Sequence, residues 1–484
     1  MLAVFLQAGR GEAQTGAFSH QGRRRASATP AKAADATIPA LLVGDIHFDP
    51  FHDPAKVPQL IGAAESQWST ILAAPASPDQ QQAFASLQRK CPTRGVDTSY
   101  ALLQSALGAM RTKQPDAQFV TVSGDLIAHS FFCRYKAILP ESTQSDYQAF
   151  VLKTLSFVTG VLRASFPAVP IYIALGNNDT PCDDYRLDAG SDFLSQVGKI
   201  ITTGLPLSQQ QQALQAFAEG GHYSLTMPAP VRDTRLLVIN DLFMSTHYRT
   251  CAGTPDVTAT TAELAWLREQ LNQARQSGQK VWVMGHIPPG IDLYSTVTHL
   301  RDVCGTGAAD MFLSSDALPD LLVEFGDAVR LGIFAHSHMD EIRLLEPSGG
   351  TPGHSVAIKV VPSISAIDGN NPSFTIARVN PSLAQLQNYE VIAASNQTGI
   401  ATKWSKEYGY AQTYHAADFA PSSVKDLVTK FENDRSGKTG ASEAYIHNFY
   451  VGRSSELELF WPEYLCLLRN HTAKAFAACA CSSK

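Results

Sequence analysis

The sequence predicts an α/β fold, with helices covering the faces of a sheet, and three observations carry that reading. Short apolar runs of four to seven residues recur along the chain, the length of a buried strand and too short for a helix. Helical patterns lie between them, and alternation of strand and helix is the pattern of sheets covered by helices. Each run closes in a polar cluster, and open α/β sheets place their ligands at strand ends.

Taken in order, the strand runs are IPALLVGDIHFD (38–49), AQFVTVSGDLIAH (117–129), VPIYIALGNND (169–179), RLLVIND (235–241), KVWVMGHIPPG (280–290) and VRLGIFAHSHMD (329–340). Between them lie the helical patterns TSYALLQSALGAMR (98–111), DYQAFVLKTLSFVTGVLR (146–163) and TTAELAWLREQLNQARQ (260–276). In the last, Thr260 and Glu263 have the spacing of a capping box. After His338 the runs DEIRLLE, SVAIKVV and SFTIARV, separated by turn residues, predict added strands over 341–395. VKDLVTKFEND (424–434) and ELELFWPEYLCLLRNHTAKAFAACA (456–480) predict a C-terminal helical subdomain. The expected organisation is a leader or disordered segment over 1–38, an α/β domain over 39–395 and a helical subdomain over 396–484.

Composition narrows the function classes. Of 484 residues, 44% are hydrophobic and 17% charged, which excludes disorder over most of the chain. The net charge of −6 is too mild for a polyanion-binding surface, so no nucleic-acid partner is expected. No apolar stretch reaches the roughly 18–20 residues that span a bilayer. The start, MLAVFLQAGRGEAQTG, has a short apolar run with no basic residue ahead of it, so it reads either as an incomplete signal peptide or as a flexible leader. Eight dispersed cysteines without a C-x-x-C pair fit disulfides in an oxidising compartment. A secreted or periplasmic protein is expected.

The strand-end clusters collect Asp45, His47, Asp125, His129, Asn177, His286, His336 and His338. Hard oxygens and imidazoles without thiolate suit Zn, Mn or Fe and suit Ca or copper(I) poorly. Residues i and i+2 of a strand share a face, so Asp45 with His47, and His336 with His338, can converge on one ion.

The series GDIHFD, GDLIAH, GNND, GHIPPG and AHSHMD resembles the calcineurin-like metallophosphoesterases. His129 four residues after Asp125, GHIPPG, VPSISAIDGNNPSF (361–374) and the aromatic tail from Tyr445 to Cys481 are similar to the acid sphingomyelinase-like phosphodiesterases. The resemblance implies a four-layer α/β/β/α sandwich and two divalent metal ions bridged by Asp125, zinc foremost with Mn or Fe as alternatives. Asp45, His47 and His338 would hold one ion, and Asn177, His286 and His336 the other. Two cations about 3.5–4 Å apart clamp the attacking and leaving oxygens of an in-line phosphoryl displacement. His129 is expected as general acid, since an imidazole titrates near working pH. Many relatives read GNH where this chain reads Gly176-Asn177-Asn178; Asn178 is expected to donate to a phosphoryl oxygen but cannot titrate. His52 and Asp49 are candidates for the pocket mouth.

Cys251 and Cys304 flank the GHIPPG strand, and a bridge between them is expected; the resemblance also implies Cys466 paired with Cys479, or with Cys481 in its place. The expected activity is hydrolysis of small soluble phosphodiesters or nucleotide phosphoanhydrides. The segment ahead of Asp45 holds no cysteine-rich or amphipathic device for extracting lipid, so weak action on bilayer sphingomyelin is expected. A polyphosphatase or phosphomonoesterase at the same site, and a metal-binding scaffold without turnover, are the alternatives.

Overall fold

The computed structural model describes residues 37–347, 353–452 and 456–482. Most of the expected leader, residues 1–36, lies outside them. Along the chain the strands are β1 (Ile38–Val43), β2 (Val120–Ser123), β3 (Ile171–Ala174), β4 (Tyr223–Thr226), β5 (Thr234–Val238), β6 (Lys280–Met284), β7 (Val329–Phe334), β8 (Glu341–Leu345), β9 (Val356–Val360), β10 (Ser373–Asn380), β11 (Gln385–Ala394) and β12 (Trp404–Gly409). They form two six-stranded sheets, ordered β12-β11-β10-β1-β2-β3 and β4-β5-β6-β7-β9-β8. The six runs that end in polar clusters are β1, β2, β3, β5, β6 and β7, parallel within each sheet. Their C-terminal ends therefore gather on one side of each sheet.

Period-two alternation decides what packs where. In β5, Leu236 and Val238 join the large core that also contains the first sheet, whereas Leu237 turns to a second core. In β6, Trp282 and Met284 point into the first core and Val281 and Val283 into the second. The Trp282 ring meets Phe119 edge-on at 5.9 Å, so the two sheets face each other. The Tyr223 hydroxyl clips them together, donating to the Ile173 carbonyl at 2.9 Å and accepting from its N–H at 2.8 Å. Helices Val257–Gln276 and Ala317–Glu324 cover the outer face of the second sheet through Leu267, Leu271, Leu321 and Leu322. Helices Tyr100–Lys113 and Gln144–Ser165 bring Leu103, Leu107, Leu155 and Val158 to the core of the first. The result is the expected helix, sheet, sheet, helix sandwich.

Three local expectations are corrected. The helix over 257–276 starts before Thr260, because Asp256 caps it by accepting from the N–H groups of Thr258 and Ala259 at 2.9 and 3.4 Å. Glu263 is then interior and bonds to the Asn240 N–H at 3.0 Å instead of capping. The sheet runs on past residue 395 through β12, and helices follow from Tyr410. The long helical pattern over 456–480 is broken into Trp461–Leu467 and Ala473–Cys481, the second capped afresh by Thr472.

β8 is an edge strand, and the tail covers it, as exposed edges require. Its Ile342 N–H donates to the Tyr445 hydroxyl at 3.0 Å and its Leu344 N–H to the Leu468 carbonyl at 2.9 Å. The disulfides are Cys91–Cys133, Cys182–Cys251, Cys304–Cys481 and Cys466–Cys479. Cys466–Cys479 is as expected; the Cys251–Cys304 pairing is overturned. Segments 185–187 and 249 run side by side, with Leu187 N–H donating to the Arg249 carbonyl at 3.1 Å, and this lays Cys251 against Cys182. Cys304 instead follows the short helix Leu300–Val303 and meets the tail.

Peptide mapping under non-reducing conditions is expected to recover Cys304 linked to Cys481 and none linked to Cys251. Cys481→Ser should lower stability by roughly 2–4 kcal/mol, the usual worth of a bridge, as read by thermal melting.

Candidate dinuclear metal centre

The loops after the six polar-ended strands meet in the space between the two sheets. Asp45 (φ 48°), His47 (44°), Asp125 (53°), His336 (72°) and His338 (64°) all take left-handed backbone conformations. Such a conformation is uncommon outside glycine and costs on the order of 1–3 kcal/mol where the side chain does not favour it. Buried carboxylates fasten these turns. Asp179 accepts from the N–H groups of Leu126 (2.8 Å) and Ile127 (3.1 Å) with one oxygen and from Gly176 (3.0 Å) with the other. Asp241 accepts from His286 and Ile287 at 2.8 and 3.0 Å. Gly176 has no alternative residue, because a Cβ there would collide with Asp125.

Asp125 lies at the centre. Its Oδ2 is 3.4 Å from His47 Nε2 and 3.2 Å from His286 Nε2. Asp45, His47 and Asp125 form one converging set of ligand atoms, and Asp125, His286 and His336 a second. His338 Nε2 lies 3.1 Å from His47 Nε2 and 3.8 Å from Asp45 Oδ1, and Asn177 Oδ1 lies 2.9 Å from His286 Nε2. The seven side chains expected as ligands therefore lie close together around Asp125.

The donor chemistry fits two cations. His47 Nδ1 faces the Ile127 carbonyl at 3.0 Å and His286 Nδ1 the Ser123 carbonyl at 2.7 Å. A carbonyl only accepts, so in the neutral imidazole each Nδ1 carries the proton and each Nε2 presents a bare lone pair. His338 Nδ1 lies 2.9 Å from an Asp368 carboxylate oxygen, out of line for a hydrogen bond, and the nearby negative charge favours a proton on that nitrogen. Stripped of their protons, such nitrogens 3.1 Å apart repel one another and the carboxylate oxygen near 3.2 Å; with no ion present, Asp125 overcomes burial and raises the His286 imidazole to about 10, so that a proton supplies the positive charge. A cation between them reverses the sign.

Electrostatics follow the crowding. Burial pushes Asp45 up to about 6 against the pull of His338 and His286. Burial also opposes ionisation of Asp125, yet the histidines beside it hold its carboxyl well below the usual range. His47 is driven down to about 3 by burial and by His129.

His129 stacks on His47 with centroids 3.9 Å apart and an interplanar angle of 23°. Asp97, which the sequence reading passed over, grips it twice, accepting from the backbone N–H at 2.9 Å and facing Nδ1 at 3.0 Å. Burial works against its protonation, but the Asp97 carboxylate outweighs burial and raises the imidazole to about 9. Asp184 holds the Asn177 amide at 2.7 Å and the Tyr185 hydroxyl lies 3.3 Å from His336 Nε2; these too were missed. They sit in the CDDY stretch just after GNND, where closeness to the motif was the only signal.

The centre opens into a cleft of about 810 Å³ lined by Asp125, His129, Asn177 and His336 on its floor and by Tyr294, Tyr450 and Phe460 among its walls. Two expected site residues stand elsewhere. His52 packs on Phe84, with ring centroids 4.9 Å apart, and is not among the lining residues; its neighbour Asp49 is tied to buried Arg134 at 2.7 Å. Asn178 turns its amide to Asp125 Oδ2 at 2.9 Å, and its N–H to Oδ1 at 2.8 Å, and lies outside the cleft lining.

The family model for calcineurin-like phosphoesterases matches residues 38–340. Human acid sphingomyelinase-like phosphodiesterase 3b is 23% identical over 462 residues, covering 91% of this chain and 90% of its own length. Human cyclic GMP-AMP phosphodiesterase SMPDL3A is 24% identical over 393 residues, 79% of this chain and 77% of its own. Sphingomyelinase phosphodiesterase C of Dictyostelium discoideum is 23% identical over 409 residues, 79% and 82% respectively.

Asp125→Asn is expected to lower the metal content of the purified protein more than Asn177→Ala does, because both donor groups share that carboxylate. Elemental analysis of the two variants beside wild type checks this.

Proposed function

Because the chain belongs to the calcineurin-like phosphoesterase family, we propose that it is a metal-dependent phosphodiesterase of the acid sphingomyelinase-like kind, acting in an oxidising compartment on small soluble substrates. The observation that carries this reading is the convergence of bare imidazole nitrogens and carboxylates on two points that share Asp125. In the proposed assignment Asp45, His47, His338 and Asp125 hold one divalent ion, and Asp125, Asn177, His286 and His336 the other. When bound, such a pair supplies positive charge to the phosphoryl oxygens and lowers the proton affinity of an attacking water. Zinc suits the donor set, as do manganese and iron.

The chain's own residues do the rest. Asn178 orients the Asp125 carboxylate through two hydrogen bonds, which replaces the phosphate-binding role expected for it. Asp97 occupies Nδ1 of His129, so Nε2 is the atom left to pass a proton to the departing alkoxide. The ring's place on the cleft floor supports that role. His129 also groups with His47 and His338 as a potential ligand, which makes metal content a necessary control. Four disulfides support an oxidising compartment, and among the described residues no helix is long and apolar enough to cross a membrane.

His129→Ala is expected to slow esters with basic alkoxide leaving groups by roughly 10²–10⁴-fold, the scale of a general acid, while leaving metal content intact. Release of p-nitrophenolate from bis-(p-nitrophenyl) phosphate, which needs no proton, should fall much less. Equal losses with both ions kept assign His129 to structure, and a lost ion assigns it to ligation. In side-by-side rates, wild type should turn over soluble diesters faster than sphingomyelin in detergent-free vesicles; the reverse order overturns the substrate assignment.

A further inference from the structure

The segment VPSISAIDGNNPSF, which joins β9 to β10, supplies no ligand to the proposed centre. It nevertheless reaches both halves of the catalytic apparatus. Ser365 donates its hydroxyl to Asp97 Oδ1 at 3.0 Å, behind His129. Asp368 places Oδ2 2.9 Å from His338 Nδ1 and Oδ1 3.2 Å from the Arg94 guanidinium. The loop is held in place: Asn370 donates to the Ser365 carbonyl at 2.9 Å, and a Cβ on Gly95 would collide with the Ile367 carbonyl. The carboxylate is not a loose surface group, with 18% of its side chain exposed.

The contrast with the other ligand imidazoles is chemical. His47 and His286 are backed by neutral backbone carbonyls and His336 faces a tyrosine hydroxyl; among these four, His338 alone is backed by a carboxylate. A carboxylate behind a ligating imidazole fixes the ring proton on the far nitrogen and makes the near one a stronger donor. The same group of ligands holds Asp45 besides the shared Asp125, whereas the other adds only neutral Asn177, His286 and His336. Charge and donor strength favour the same side.

Resting on the two-ion reading above, we propose that Asp368 is a positioning residue that strengthens His338 as a ligand, so that the ion held by Asp45, His47 and His338 is the more tightly bound of the two. Arg94, 65% exposed and lying 4.6 Å over the Tyr294 ring in the cleft wall, partners the outer oxygen of Asp368 and leaves the inner one to His338.

The test is a titration of the metal-free full chain with Co²⁺ alone, followed by its visible absorption and by calorimetry. Wild type should bind two ions in two resolved steps. Asp368→Asn should weaken the tighter step by roughly 10–100-fold, the usual effect of losing such a backing group, and leave the weaker step unchanged. Asp368→Glu, which keeps the charge, should recover part of the loss. His338→Ala should abolish the tighter step, and the double variant Asp368→Asn/His338→Ala should bind no worse than His338→Ala, since one residue acts through the other. Unchanged steps in Asp368→Asn, equal weakening of both steps in Asp368→Asn and Asp368→Glu alike, additive losses in the double variant, or no bound Co²⁺ each overturn the proposal. Turnover of bis-(p-nitrophenyl) phosphate is measured alongside. Active wild type with unaltered binding in Asp368→Asn sinks this inference alone, whereas two-step binding without turnover sinks the phosphodiesterase reading alone.

Discussion

Like groups held close together inside a protein repel, and this centre concentrates that repulsion. Asp125 and the imidazoles of His47, His286, His336 and His338 crowd one another at 3.1–3.4 Å, with Asp45 3.8 Å from His338, at the bottom of the cleft. Neither the left-handed turns that aim them nor the burial that strips their solvent is favourable alone. The surrounding architecture supplies the restraint. Parallel strands in two facing sheets end side by side, carboxylates inside the turns bind the amide groups that would otherwise be orphaned, and a glycine lets one turn press against the next. Folding thus stores an arrangement whose natural complement is positive charge.

Much of this was legible in the sequence because the relevant signals are local. A run of β-type residues closing in a polar cluster specifies both a strand and the side chains at its mouth, and seven ligand candidates follow from five such runs. The residues that escaped notice act at a distance. Asp97 stands just before a helix, in a stretch whose spacing to His129 means nothing until the fold brings them to 3.0 Å. Asp368 sat inside a quoted motif, but nothing in its neighbours connects it with His338 thirty positions earlier. Cys251 shows the same limit from the other side: proximity to the metal loops suggested Cys304, while a pairing of two irregular segments chose Cys182. His52 was misplaced by nearness alone, since the chain turns just after Phe51 and carries the ring away against Phe84. Competition explains the false capping box, where Asp256 reached the free N–H groups first.

The tail that covers β8 carries a consequence for how the cleft can vary. Phe460, Tyr464 and Leu467 form part of the cleft wall, and Cys481 locks this region to a loop whose own cysteine lies 177 residues earlier. Every proposed ligand lies before the end of the last strand, Gly409, whereas those wall residues come from the final stretch of the chain. The ligand set and one side of the cleft are thus written in separate parts of the sequence, so the tail can vary the shape of the cleft while the proposed ligands stay as they are.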